Sequence, residues 1–139
     1  MSRRLSDYTV ANLINALLGK AAFPVTSEAY LALFTATPAN NGSPTNEVTG
    51  GSYARVSIKA LMQTATVTPP NPATSGQTGT ITFPTATANW GTITEVAICD
   101  ALTGGNWLVK VAITPQVVNS GAIFELPIGT LSLFNAEVS

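Results

Sequence analysis

Clusters of glycine, proline and asparagine interrupt this 139-residue chain at short intervals, and they limit what it can fold into. The clusters lie at 40–42, 49–51, 69–76, 103–105 and 119–121. Most segments between them are short and rich in β-branched and aromatic residues, which is typical of strands. Candidate strands occupy 29–35, 53–61, 64–68, 79–83, 93–99, 107–113, 122–126 and 130–134. The pattern predicts a mainly β protein, an antiparallel β-sandwich with jelly roll as the favoured topology.

The segment 53–61 also predicts which side chains face water. Tyr53, Arg55, Ser57 and Lys59 alternate with smaller or apolar residues. Side chains alternate between the two faces of a strand, so these four residues are predicted to line a wet face opposite a dry one.

One segment, 6–18, has the periodicity of a helix. Its apolar residues fall at i, i+3, i+4, i+7 and i+8 and form one stripe: Val10, Leu13, Ile14, Leu17 and Leu18. Ser6 can cap the start, and Gly19 can end the helix in a left-handed conformation. Because a helix of about three turns is marginal alone, the stripe must pack on a sheet or on another subunit.

The length predicts a single β-sandwich domain over 1–139. Residues 1–5 are predicted to form an N-terminal arm before the helix. Two loops, 38–52 and 69–79, are long for such a domain, and loops of this length are usually functional or disordered. We predict that they contact neighbouring subunits, with mobile surface loops as the alternative.

Charged residues are scarce: they make up 9% of the chain, against about 25% in a usual soluble domain. A surface this poor in charge repels neighbours weakly and suits permanent contact with other proteins. The net charge of −1 gives no electrostatic footprint for nucleic acid. No segment reaches the ~18 apolar residues of a membrane span. Arg3 and Arg4 form either a solvated tip or a contact with an acidic neighbour.

Residues suited to catalysis or metal binding are few. The chain has no histidine, which excludes every mechanism that uses imidazole. Its seven acidic residues are scattered, unlike the clustered oxygens of a calcium site. Cys99 ends the apolar run 96–99, so a buried thiol is favoured over a nucleophile. We therefore expect no enzymatic activity, no cofactor and no metal.

The large aromatic residues have two interpretations. Trp90 and Trp107, together with tyrosines, can form a sugar-stacking platform or anchor the core. The second interpretation is favoured, and it assigns Trp90, Trp107 and Tyr53 as structural anchors. Gly91 joins them because it allows a tight backbone turn beside Trp90.

Glu47 and Arg55 flank the Gly50-Gly51 turn. They can form an ion pair that holds the long 38–52 loop closed, or they can remain two separate solvated charges.

Four motifs, taken in order, resemble a known family. They are YLALFTATP at 30–38, NEVTGGSYAR at 46–55, ITFPTATANWGTITEVAI at 81–98 and DALTGGN at 100–106. Over about residues 8–134 the chain resembles small tailed-bacteriophage virion proteins, often labelled tail-fibre-like. A compact, charge-poor β domain is also similar to the jelly-roll cement proteins that clamp capsid shells. The resemblance implies a virion location after assembly in the host cytoplasm, and no catalytic residues.

We predict a bacteriophage virion structural protein, first of all a capsid cement or decoration protein that bridges and stabilises major capsid proteins. Its partners are then the major capsid protein and copies of itself, in a homodimer or higher oligomer. The alternatives are a tail or tail-fibre-associated structural protein and a glycan- or receptor-binding module. The candidate interface residues are Arg3, Arg4, Val10, Leu13, Leu17, Asn40, Asn41, Pro70, Asn71 and Pro72.

Overall fold

A computed structural model of the protein describes residues 3–24, 26–67 and 74–134. Within these ranges the chain forms nine strands, one α-helix and one short 3₁₀ helix, Lys59–Leu61. In chain order the elements are β1 (Arg3–Leu5), α1 (Asp7–Leu17), β2 (Tyr30–Phe34), β3 (Val56–Ser57), β4 (Thr74–Gly76), β5 (Ile81–Thr82), β6 (Gly91–Cys99), β7 (Trp107–Val118), β8 (Glu125–Leu126) and β9 (Ser132–Phe134). No helix in the described ranges has the length and apolar character needed to span a membrane.

One antiparallel sheet dominates the fold, with the strand order β1-β7-β6-β2-β3. Its centre is the long β6–β7 hairpin, in which Ile98 pairs with Val109. Two further ladders, β4–β9 and β5–β8, are also antiparallel. The mainly β, antiparallel architecture and the single N-terminal helix are confirmed, and the arrangement is consistent with a β-sandwich. A jelly roll contains eight strands in two sheets, whereas the described strands form one five-stranded sheet and two short ladders.

The core lies on both faces of the five-stranded sheet because side chains alternate along β2. Leu31 and Leu33 belong to the larger cluster, where the rings of Phe83 and Phe124 meet edge to face. The smaller cluster on the opposite face comprises Ala32, Phe34, Ala97, Cys99 and Trp107. The sheet is therefore covered on both sides at its centre.

The N-terminal arm prediction is wrong for residues 3–5. Arg3, Arg4 and Leu5 pair with Val111, Lys110 and Val109 and add an edge strand to the sheet. β1 directly precedes α1 in the chain, so its pairing holds the start of the helix beside β7. The free backbone groups of β7 determine this pairing, and three residues are too few to show a strand pattern in sequence.

The alternating strand predicted over 53–61 is also wrong in most of its length. Only Val56–Ser57 pairs with β2, and the 3₁₀ helix follows at once. Arg55, predicted on the wet face, is buried. Residues 64–67 form no strand, and the rest of that predicted segment lies outside the described residues. Conversely, part of the predicted 69–79 loop forms β4.

Candidate functional site

The apolar stripe of α1 faces away from the protein. Its five residues are 37% to 77% exposed, and they are called the helix face from here on: Val10, Leu13, Ile14, Leu17 and Leu18. Thr9 is the one buried residue in α1, all of which the structure describes. A surface helix usually turns its apolar stripe towards the core. Here that orientation is reversed, so the sheet does not cover the stripe.

Polar contacts explain this orientation. The Ser6 hydroxyl caps α1 by accepting a hydrogen bond from the Thr9 N–H at 3.1 Å. The Thr9 hydroxyl and the Ser6 N–H both donate to the Leu108 carbonyl of β7, each at 2.9 Å. The first turn of α1 is thus hydrogen-bonded to the sheet through Ser6 and Thr9. Rotating the helix face inwards would break these bonds.

The candidate interface residues that the structure describes lie on neighbouring elements. Arg3 and Arg4 belong to the edge strand β1, directly before the helix. Asn40 and Asn41 are exposed in a turn that is joined to the helix by the Asp7 N–H, which donates to the Asn40 carbonyl at 2.8 Å. These residues therefore surround the N-terminal end of α1.

The other six candidate interface residues divide into two groups of three. Val10, Leu13 and Leu17 lie on the helix face itself. Pro70, Asn71 and Pro72 lie outside the described residues. Ile14 and Leu18 were not among the candidates, although the i+4 and i+8 spacing of the stripe includes both.

A buried polar network fixes the loops at one end of the sheet. Arg55 contacts both carboxylate oxygens of Glu47, with Nε and Nη2 each at 2.7 Å. Its Nη1 donates to the carbonyls of Ala101 at 2.6 Å and Gly104 at 2.9 Å. Glu47 and Arg55 are thus an ion pair rather than two solvated charges. One guanidinium holds the 38–52 loop and the 100–106 hairpin turn together.

Tyr53 extends this network to the central sheet. Its hydroxyl donates to Glu47 Oε1 at 2.8 Å and accepts from the Leu33 N–H of β2 at 3.0 Å. Burial, followed by the charge of Glu47, raises the pKa of Tyr53. Burial alone lowers the pKa of Arg55, but the hydrogen bonds and charge of Glu47 outweigh it, so the pKa is raised. Both groups keep their protons at all ordinary pH values.

The two tryptophans are internal anchors. The Trp90 indole N–H donates to the Gly51 carbonyl at 2.9 Å, and the Trp107 indole N–H donates to the Ala39 carbonyl at 2.8 Å. Tyr53 meets Trp90 edge to face, with ring centroids 5.4 Å apart. Both indoles are buried. A sugar-stacking platform built from these two rings is therefore wrong, because neither presents a face to solvent.

Two further reactive side chains, Lys110 and Cys99, are buried in the fold. Lys110 Nζ lies 3.1 Å from Glu95 Oε2, in an ion pair between β7 and β6. Burial raises the pKa of the Cys99 thiol to about 12. In the part of the chain that the structure describes, no group of three Cys, Asp or Glu side chains is placed to hold a metal ion. Large apolar side chains are also exposed elsewhere, as at Val117 and Ile128, but among the described residues α1 carries five of them on one element.

The sequence comparison identifies the class of this protein. A family model described as podophage GP4 fiber I protein gp80 matches residues 4–134. The chain belongs to this family and is a bacteriophage virion structural protein. A search of curated proteins found no match. The predicted relation to tail-fibre-like virion proteins is confirmed at this level.

Proposed function

We propose that this protein is a compact structural subunit of a podophage tail-fibre apparatus, and that its helix face joins it to neighbouring protein subunits. The observation that carries the proposal is the outward orientation of five aliphatic side chains on a helix hydrogen-bonded to the sheet by polar residues. The family match supports the tail-fibre alternative better than the capsid cement prediction.

The energetics of α1 support a role in assembly. The helix has 11 residues, and isolated helices shorter than about 12–15 residues are marginal in water. Exposed aliphatic patches of several hundred square ångströms usually mark interaction sites. Covering the helix face with another subunit stabilises both the contact and the helix. The fold therefore supplies a surface that gains from burial in an assembly.

The shape and charge of the chain indicate the kind of subunit. The sequence has no long repeats or heptads that could build an extended shaft, so we assign it a globular connecting or attachment role. With a net charge of −1, the proposed partners are proteins rather than nucleic acid or membrane. The proposed role is structural and involves no catalysis.

Immunogold labelling of intact virions and isolated tails tests the location. Antibodies against the purified protein should label the tail region. Labelling spread over the shell would instead support the capsid cement function and contradict the tail proposal. Absence of label from both intact and disrupted particles would contradict a virion role.

A phage-encoded variant tests the surface. Replacing Leu13 and Leu17 by aspartate should leave the purified protein folded but reduce its incorporation into particles. Leu102→Asp is the matched control, because Leu102 is also exposed, at 54%, but lies in the 100–106 hairpin turn. Normal incorporation of the Leu13→Asp/Leu17→Asp variant would show that the helix face is not the attachment surface.

A further inference from the structure

We propose that Asn41 is a site of spontaneous deamidation, and that its conversion to isoaspartate loosens the attachment of α1 to the rest of the fold. Asn41-Gly42 is the only Asn-Gly pair in the sequence. It lies in a turn of the 38–52 loop, where Asn41 is exposed and Gly42 has a φ of 106°. The inference does not rely on the proposed function, because it concerns the chemistry of the chain itself.

The reaction needs only the chain, water and hydroxide. The Gly42 backbone nitrogen loses its proton to hydroxide and bonds to Cγ of Asn41, while the side-chain nitrogen takes up a proton from water and leaves as ammonia. The product is a five-membered succinimide ring. Water then opens the ring: breaking the nitrogen bond to Cγ yields aspartate, and breaking the nitrogen bond to the main-chain carbonyl carbon yields isoaspartate. Glycine favours the attack because it has no Cβ to crowd the reacting nitrogen.

The turn holds the reacting groups together. Asn41 Oδ1 accepts a hydrogen bond from the Ser43 N–H at 2.9 Å, which folds the side chain back over the Gly42 peptide group as in an Asx turn. The same N–H polarises the side-chain carbonyl and stabilises the negative charge that develops on Oδ1 during the attack. The Gly42 N–H is held only by the Ala39 carbonyl, at 3.3 Å, which is long for such a bond.

Asn119, another exposed asparagine, lacks this arrangement. It is followed by Ser120, whose Cβ crowds the backbone nitrogen. The Ser120 N–H also donates to Asn89 Oδ1 at 2.9 Å, and an attack by this nitrogen would have to break that hydrogen bond. We therefore expect Asn41 to convert roughly tenfold faster than Asn119 in the native protein.

Isoaspartate changes a turn that is fixed on both sides of residue 41. The Asn40 carbonyl accepts from the Asp7 N–H of α1, and the Gly42 carbonyl accepts from the Trp107 N–H of β7, each at 2.8 Å. In isoaspartate the main chain passes through Cβ and Cγ, so it gains one atom between these two anchors. We expect the bond to Asp7 to be lost, because Trp107 is buried in the core whereas Asp7 is exposed. The start of α1 is then held less firmly.

Timed incubation of the purified protein at mildly alkaline pH, followed by peptide mapping, tests the reaction. Mass spectrometry should show a gain of about 1 Da at residue 41, with isoaspartate as well as aspartate among the products, before any change at Asn119. Asn41→Gln is the matched control. Its longer side chain would have to close a six-membered ring, so residue 41 of this variant should stay unconverted over the same period.

Amide hydrogen exchange tests the effect on α1. The isoaspartate form is compared with freshly prepared Asn41→Asp protein, which carries the same added charge but keeps the normal main chain. The Asp7 N–H should exchange up to about tenfold faster in the isoaspartate form, as expected for the loss of one hydrogen bond. The Tm of that form should also be lower, by about 2–4 °C.

Conversion of Asn119 ahead of Asn41, or conversion of Asn41 only after the protein is unfolded in urea, would overturn the proposed site. Equal exchange of the Asp7 N–H in the isoaspartate form and in Asn41→Asp would overturn the link to α1. Neither result depends on where the protein lies in the virion, so the proposed function is tested separately.

Discussion

Replacing Glu47 by glutamine should destabilise the fold by about 3 kcal/mol, and the structure explains the size of this effect. Glu47 accepts hydrogen bonds from Arg55 Nε at 2.7 Å, Arg55 Nη2 at 2.7 Å and the Tyr53 hydroxyl at 2.8 Å. Glutamine keeps the shape but offers one acceptor oxygen, and its NH₂ group meets groups that are donors themselves. Arg55 remains held by the carbonyls of Ala101 and Gly104, so its charge stays buried without a counter-charge.

The burial of the pair determines the magnitude. The side chain of Arg55 is 2% exposed and that of Glu47 is 15% exposed. Removing one partner of a buried ion pair costs about 3–5 kcal/mol, whereas an exposed pair contributes about 1 kcal/mol at most. The partial exposure of Glu47 lets water compensate a little, which places the expected loss at the lower end of the buried range.

Urea unfolding, followed by the fluorescence of the two buried tryptophans, measures this loss. The urea midpoint should fall, while the slope of the unfolding free energy against urea concentration should stay unchanged. The matched control is Glu125→Gln, because Glu125 is exposed and should change stability by less than about 0.5 kcal/mol. A loss below about 1 kcal/mol for Glu47→Gln would mean that water solvates the pair, as it does an exposed pair.

A double-mutant cycle measures the interaction free energy between Glu47 and Arg55 separately from their contacts with other residues. Arg55→Met should also be strongly destabilising, because it leaves the Glu47 carboxylate without its cation and frees two carbonyls. The double variant Glu47→Gln/Arg55→Met should lose less than the sum of the two single losses, because no unpaired charge is left buried. If the two single losses in unfolding free energy simply add up in the double variant, Glu47 and Arg55 do not interact directly.

Three further predictions concern individual side chains. Burial raises the pKa of Tyr53, so the native protein holds a proton that unfolded tyrosine releases near pH 10, and stability should fall above that pH by up to ~1.4 kcal/mol per pH unit. Tyr53→Phe should flatten this fall in urea titrations from pH 8 to 11, and an unchanged slope would contradict it. The Cys99 thiol, with its pKa raised to about 12, should react with a thiol reagent at pH 8 at least ~100-fold more slowly in native than in unfolded protein, and comparable rates would refute its burial. Gly51→Ala should destabilise more than Gly50→Ala in thermal unfolding: both positions have positive φ, but only a Cβ at 51 meets the Trp90 indole nitrogen, at 2.9 Å. Equal losses of thermal stability in the two variants would show that the Trp90 indole can move aside.

The helix was predicted correctly because the signals for it are local in the sequence. The Ser6 cap, the apolar periodicity and Gly19 predicted a helix over 6–18, and α1 spans Asp7–Leu17 with Gly19 at positive φ. Periodicity could not show which neighbour covers the stripe. The hydroxyls of Ser6 and Thr9 turn it outwards by bonding to a carbonyl of β7, about 100 residues later in the chain.

Long-range pairing explains what the sequence did not predict. Alternation placed Arg55 on a wet face, but its burial depends on Glu47 and on two carbonyls of the 100–106 turn. β1 and β4 have three residues each and become strands only through their partners, β7 and β9. The jelly-roll expectation rested on strand spacing, which identifies strands but not the order in which they pair.

Quantitative mass spectrometry of intact virions and purified tails tests most directly whether this chain is a structural component of the tail-fibre apparatus. We predict that the protein is retained in purified tails, at a handful to a few dozen copies per particle. Hundreds of copies, in a simple ratio to the major capsid protein and lost when tails are separated from heads, would contradict the tail assignment in favour of capsid cement. Absence from the particle would contradict the virion role itself.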